Sequence, residues 1–158
     1  MSTLNKEREN ISAMFNNIAE NYDRLNRILS FGIDRKWRKR VIKHIKSKDA
    51  KYVLDLACGT GDLSIEMYKE GISVVGVDIA QKMLDIANIK CNSAIISNKA
   101  TAITNDKPKF ILGSAEEIPF NPLTFDAVTI AFGIRNFQDR NIALKEIHRV
   151  LKRGGCIS

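Results

Sequence analysis

Residues 53–63 read Val53-Leu54-Asp55-Leu56-Ala57-Cys58-Gly59-Thr60-Gly61-Asp62-Leu63. A short apolar run ends in an acid, a glycine loop follows, and a helical pattern begins. That order predicts a strand, a tight turn and a helix N-terminus. Gly59 and Gly61 let the chain turn sharply and approach a ligand without Cβ interference. A second strand, Val74-Val75-Gly76-Val77-Asp78, also ends in an acid. A carboxylate at that place can accept hydrogen bonds from both hydroxyls of a ribose.

The loop discriminates between nucleotide-like ligands. A dinucleotide fingerprint needs a third glycine, but the frame runs Gly59-Thr60-Gly61-Asp62-Leu63-Ser64. Asp62 would set a like charge against a pyrophosphate at the helix N-terminus. No Gly-Lys-Ser/Thr follows, so a P-loop is excluded. A zwitterionic methionine tail with its ammonium tolerates these acids. Asp55 and Asp62 therefore favour S-adenosyl-L-methionine over NAD. Each piece also has a plain reading: a tight turn for the glycines, a helix N-cap for Asp78, and small buried filler for Cys58.

The surrounding pattern supplies the elements that position these residues. Helices are expected around Ile11–Leu29 and, after a break at Phe31-Gly32 with Asp34 as N-cap, around Trp37–Ile45. Further on, the pattern predicts helix 62–70, strand 73–78, helix 81–90, strand 109–112, strand 125–132 and helix 141–151. Gly154-Gly155 ends the last helix, and a further extended stretch is only begun. Strands alternating with helices indicate an α/β fold with a mainly parallel sheet. The expected organisation is an N-terminal helical cap over 1–50 and a Rossmann-like core over 51–158.

Composition narrows the class. The chain has 158 residues, 44% of them hydrophobic, with a net charge of +7. Residues 1–50 hold twelve Lys or Arg against six Asp or Glu, so nearly all of the excess lies there. Either it coats a solvated helix face, or it forms a basic amphipathic surface for an anionic membrane or an acidic partner. Aromatic residues do not interleave with these charges, which argues against nucleic acid. No apolar run approaches the ~20 residues of a membrane span. The N-terminus lacks an apolar signal core, and three widely spaced cysteines suggest neither a disulfide framework nor a zinc site. A cytoplasmic protein is expected.

Several stretches resemble the C-methyltransferases of ubiquinone and menaquinone biosynthesis, a branch of the class I S-adenosylmethionine-dependent methyltransferases. They are Met14–Ala19 with Tyr22-Asp23, Leu25–Asp34 with Trp37-Arg38, Leu54–Asp62, Ala115–Phe120, Phe132-Gly133-Ile134-Arg135-Asn136 and Glu146–Lys152. The resemblance implies that Thr60 contacts the methionine part of the cofactor and Asp78 the ribose. It implies that Ser114 and Ala115 sit at the adenine. Ser114 stands where the family usually has Asp or Asn, and Ala131 where it commonly has Ser. Asp55, Gly59, Thr60, Gly61, Asp78, Ser114 and Ala115 form the expected cofactor site, and Ala131, lacking the hydroxyl, is left out of it. No metal is expected.

The implied substrate is a demethylmenaquinol or related polyprenyl quinol, methylated on a ring carbon. Arg135 and Asn136 are the candidates for orienting its oxygen, with a structural pairing of Arg135 to Asp139 or Glu146 as the alternative. The isoprenoid tail lives in a bilayer, so peripheral membrane contact through the basic N-terminal helix is expected. Other readings stay open: a methyltransferase for another small molecule, a non-catalytic binding module, or an NAD-dependent dehydrogenase. The resemblance also implies further strands completing a seven-stranded sheet. The expectation is therefore a core whose final strands are missing and little or no activity by this chain alone.

Overall fold

The computed structural model describes residues 3–29, 33–97, 106–131 and 133–158, with side chains of the first helix described over 9–23. Helices α1 (Thr3–Leu29) and α2 (Ile33–Ser47) precede the first strand. There follow β1 (Tyr52–Leu56), α3 (Asp62–Lys69), β2 (Ser73–Asp78), α4 (Gln81–Ile96), β3 (Lys109–Leu112), β4 (Phe125–Ile130), α5 (Arg140–Val150) and β5 (Leu151–Ile157). The five strands form one parallel sheet in the order β3-β2-β1-β4-β5.

This order follows from the burial pattern. Val53, Leu54, Asp55 and Leu56 are all buried, as a central strand covered on both faces requires. One core joins Leu54, Leu56, Val75, Val77, Phe125, Val128 and Ile147. The other joins Ile42 and Ile45 of α2 to Val53, Leu63, Met67 and Val74. Burying each large side chain contributes about 1.5–3 kcal/mol. The chain reverses its direction of travel across the sheet between β1 and β4, which opens a crevice above their C-terminal ends.

Several boundaries differ from the sequence reading. β1 continues past Asp55 to Leu56, so this acid is an interior strand residue and not the tip. β4 stops at Ile130, and Phe132 lies outside the described residues. α4 runs on to Ile96, absorbing part of a stretch too polar to assign by pattern. Phe31 and Gly32 lie outside the described residues; Asp34 sits in the first turn of α2 and accepts a hydrogen bond from Arg38. The fifth strand is not a stub after the glycine pair. It starts at Leu151 and pairs with β4 through Cys156 and Ile157. Gly154 adopts φ +79° within it, and the register shifts opposite Phe125 and Ala127. A left-handed glycine reads as a helix stop, but here it serves a strand irregularity.

Candidate functional site

A cleft opens above the C-terminal ends of β1, β2 and β4. Leu56 ends β1 and Ala57 follows it on the floor, Val77 and Asp78 end β2, and Gly113, Ala115 and Ala131 follow β3 and β4. α1 roofs it with Ile11, Phe15 and Tyr22. The roof is seated by packing of Ala19 against Ala80 and Met83, and by two polar contacts. Ser12 Oγ donates to the Ile79 carbonyl (2.8 Å), and Asn16 Oδ1 accepts from the Lys82 amide (2.9 Å). The second contact matters because Ala80, at the N-cap of α4, has no side chain to cap it.

Asp78 is the chemical centre of the cleft. It is 8% exposed. One oxygen accepts from the Gly59 amide (2.8 Å) and the other from the Ala80 amide (2.9 Å). Burial raises its pKa, and the backbone donors oppose that rise. An ionised carboxylate offers about four acceptor positions, so capacity remains for ligand hydroxyls. Asp78 is not the N-cap of α4, which is Ala80; it holds the Ala80 amide just before that helix while facing the cleft.

The glycine loop is tied down by its own hydrogen bonds. The Cys58 amide donates to the Val77 carbonyl, the Gly59 amide to Asp78, and the Gly61 amide to the Cys58 carbonyl. Amides spent in this way are not offered to a phosphate. Gly59 (φ +54°) is the open glycine: a Cβ there would meet only Tyr22, at 3.7 Å. Gly61 (φ +77°) packs inward, where a Cβ would come within 2.9 Å of Ala87 and Phe110.

The other expected site residues divide. Ala115 and Asn136 line the cleft. Asp55 does not: it is 1% exposed, and its carboxylate accepts from Ser64 Oγ (2.6 Å) and Thr129 Oγ1 (2.8 Å). It ties β1 to α3 and β4, and burial pushes its pKa up to about 6 against those two hydroxyl donors. Thr60 is buried and its hydroxyl donates to Asp23 of α1. Ser114 is buried beside Ala115 but lines a separate groove with Glu117 and Pro119, not this cleft, and its Oγ has no hydrogen-bond partner among the described residues. Arg135 is exposed on a short 3-10 turn over Ile134–Asn136. Its alternative partners are committed elsewhere: Asp139 caps α5 through the Asn141 and Ile142 amides, and Glu146 pairs with Arg149. Burial beside Asp55 and Asp78 holds Cys58 as a thiol, its pKa pushed well above the ordinary value, so it is no nucleophile.

The sequence reading missed the residues that fasten the roof. Asn16, Asp23 and Lys90 lie on helices where polar residues usually mean solvent. Only the spacing of Ser12, Asn16, Ala19 and Asp23 along one stripe of α1 signals a docked face. Glu116 and Phe137 also line the cleft, and Glu116 accepts from the Gln138 amide (2.8 Å).

The family model described as ubiE/COQ5 methyltransferase family matches residues 1–158. The chain belongs to this family. It is 43% identical over 160 residues to the ubiquinone/menaquinone biosynthesis C-methyltransferase UbiE of Geobacter sp. (strain M21), covering 99% of this chain and 65% of that protein. It is 43% identical over 152 residues to the demethylmenaquinone methyltransferase of Thermotoga maritima, covering 95% of this chain and 60% of that one. The chain thus spans less than two thirds of either relative. The magnesium protoporphyrin IX methyltransferase of Synechocystis PCC 6803, solved with bound S-adenosylmethionine, superimposes with a TM-score of 0.74 over 92% of this chain and 72% of its own. At 18% identity that likeness concerns the fold alone, an α/β sheet. Within the ubiE/COQ5 family frame, the Asp78 cleft is the place to look for the cofactor.

Proposed function

We propose that this chain binds S-adenosyl-L-methionine in the Asp78 cleft and serves C-methylation of a demethylmenaquinol or related polyprenyl quinol ring. The observation that carries the reading is a buried carboxylate, Asp78, facing a largely apolar cleft beside a glycine loop in which the Cys58, Gly59 and Gly61 amides are already bonded within the protein. A ribose with its two hydroxyls suits Asp78; a diphosphate finds few free amides. Apolar walls at Ile79, Met83 and Ala115 suit an adenine. The residues present fit the cofactor.

Bound there, the cofactor's sulfonium supplies an activated methyl group, and no metal is required. The chain's own residues align and dry the site. Asp78 fixes the ribose end, and Gly59 allows close approach. Asp55 acts at one remove, bracing α3 and the loop through Ser64. Thr60 lies at the methionine end. Asn136, at the cleft, and Arg135, free of an ion pair among the described residues, orient the quinol oxygen. A guanidinium there stabilises the phenolate formed as the hydroxyl loses its proton, and this makes the ring carbon the nucleophile. After methyl transfer from the departing thioether, the carbon's proton passes through solvent to the ring oxygen and restores the aromatic quinol, so that one proton, the one first lost by the hydroxyl, is released overall.

The same reading gives α2 a task. Arg35, Lys36, Lys39, Arg40 and Lys43 are exposed and form no ion pair among the described residues, and Ile33 and Trp37 stand 56% and 47% exposed beside them. No helix among the described residues is long and apolar enough to cross a membrane. Cations flanking two exposed apolar side chains suit peripheral attachment to an anionic bilayer that stores the quinol.

The test is calorimetry followed by transfer of a labelled methyl group to a demethylmenaquinol held in vesicles. S-adenosylmethionine should bind more tightly than NAD, and the label should appear in the quinol and not in other small acceptors. Tighter NAD binding overturns the cofactor assignment; label in other acceptors only overturns the substrate. The chain should co-float with anionic vesicles and not with neutral ones, and no flotation at low salt removes the membrane contact.

A further inference from the structure

A charge cluster behind the glycine loop shares only Thr60 with the chemistry proposed above. Lys90 of α4 reaches three groups with its ammonium: Asp23 of α1 (2.7 Å), the Thr60 hydroxyl (3.2 Å) and Asp62 of α3. The Thr60 hydroxyl donates to the other oxygen of Asp23. Asp62 also lies 3.6 Å from Arg38 of α2, which pairs in turn with Asp34 and Glu66. Four helices and the loop are thereby joined through alternating charges. Among the described residues, Lys90 is the one cation paired with Asp23.

The consequence lies in α1. Asp23 adjoins Tyr22 in sequence, and Tyr22 and Phe15 meet edge to face over the cleft with ring centroids 6.3 Å apart. Ser12 and Asn16 anchor α1 at the β2–α4 turn; Asp23 is its anchor at the glycine loop. Remove the ammonium at position 90, and Asp23 and Asp62 are left as two carboxylates sharing a space without their common counter-ion. The three side chains keep 28%, 35% and 41% exposure, so water weakens this repulsion without abolishing it.

We infer that Lys90 is a positioning residue whose charge, read through Asp23 and Thr60, holds α1 over the glycine loop and so sets the cleft's affinity for a nucleoside ligand it does not touch. The ligand half of this inference rests on the function proposed above; the α1 half does not.

The experiment compares Lys90→Met and Lys90→Arg with the unaltered chain. Hydrogen exchange of the α1 amides over 11–23 is measured without ligand, and S-adenosylhomocysteine binding by calorimetry. With Met, α1 exchange should quicken and Kd should rise, each about tenfold, while the β1 and β4 amides keep their protection. Arg, which keeps the charge, should restore both. At 1 M salt the unaltered chain should move toward the Met variant, because the screening length falls to about 3 Å. Unchanged α1 exchange with Met, or equal losses with Met and Arg, overturns the inference. So does an unchanged Kd in a variant whose α1 has loosened. If the unaltered chain does not bind S-adenosylhomocysteine, the function reading fails and the exchange arm alone judges Lys90. Should Lys90→Met not fold, Asp23→Asn, which leaves the Lys90–Asp62 pair in place, carries the same expectations.

Discussion

The two walls of the cleft are built in different ways. The sheet wall is made of buried side chains held by backbone. Asp78 is clasped by two amides, Asp55 is held behind the cleft by two hydroxyls, and both strands are fixed by parallel register on either side. The helical wall is one long helix fastened at Ser12, Asn16 and Asp23, each through a side chain that solvent can also reach. Moving a group in the first wall requires breaking the sheet. Moving a group in the second requires only the loss of a few contacts near the surface.

The largest effect should come from the glycine loop that joins the sheet wall to α3. Gly61→Ala imposes left-handed backbone on an L-residue, about 1–2 kcal/mol. It also drives a Cβ to 2.9 Å from Ala87 and Phe110, and such overpacking costs about 1–3 kcal/mol. Urea denaturation should record a combined loss of about 4 kcal/mol. Gly59→Ala is the internal control: with Tyr22 no nearer than 3.7 Å, only the backbone cost remains.

Next in size is the buried acid. Asp55 titrates near 6 in the folded chain against an ordinary 3.8, because burial penalises its charge. The folded state therefore holds this proton more tightly than the unfolded one. The penalty is absent below pH 4, grows as pH rises through 6, and is constant above. Asp55→Asn removes that dependence. Between pH 4 and pH 7 the stability difference should shift toward the variant by about 3 kcal/mol. Parallel unfolding curves for the two proteins across this range would show that the carboxylate stays ionised in the folded state.

The same division explains what the sequence disclosed. The sheet wall was legible because buried parallel strands write themselves as apolar runs and tight turns write themselves as glycine; Val74–Asp78 and Gly59-Thr60-Gly61 needed nothing else. The Asp55 assignment went astray because an acid in a strand looks like a strand end unless its partners, Ser64 and Thr129, are known. Those partners lie 9 and 74 positions away. Gly154 misled for a related reason, since one left-handed residue serves helix stops and strand irregularities alike. The roof was the least legible. Asn16, Asp23 and Lys90 gain their meaning from contacts across 66 or more positions for Asn16–Lys82 and Asp23–Lys90, and no local pattern encodes such a contact.

The smallest predicted effect tests whether the roof is fastened at both ends. Asn16 supplies α4 with the cap that Ala80 lacks, by accepting from the Lys82 amide. Asn16→Ala should cost about 1 kcal/mol, the usual worth of an N-cap. The loss should be visible as faster hydrogen exchange in the first turn of α4 and the facing part of α1. Asn16→Asp should recover it, since a carboxylate accepts the same bond and suits the positive end of a helix. If Asn16→Ala loosens α4 but leaves α1 untouched, Ser12 and the packing of Ala19 are enough to seat that end. The roof then depends on charge only at the glycine loop, and the contrast between the two walls narrows to that one anchor.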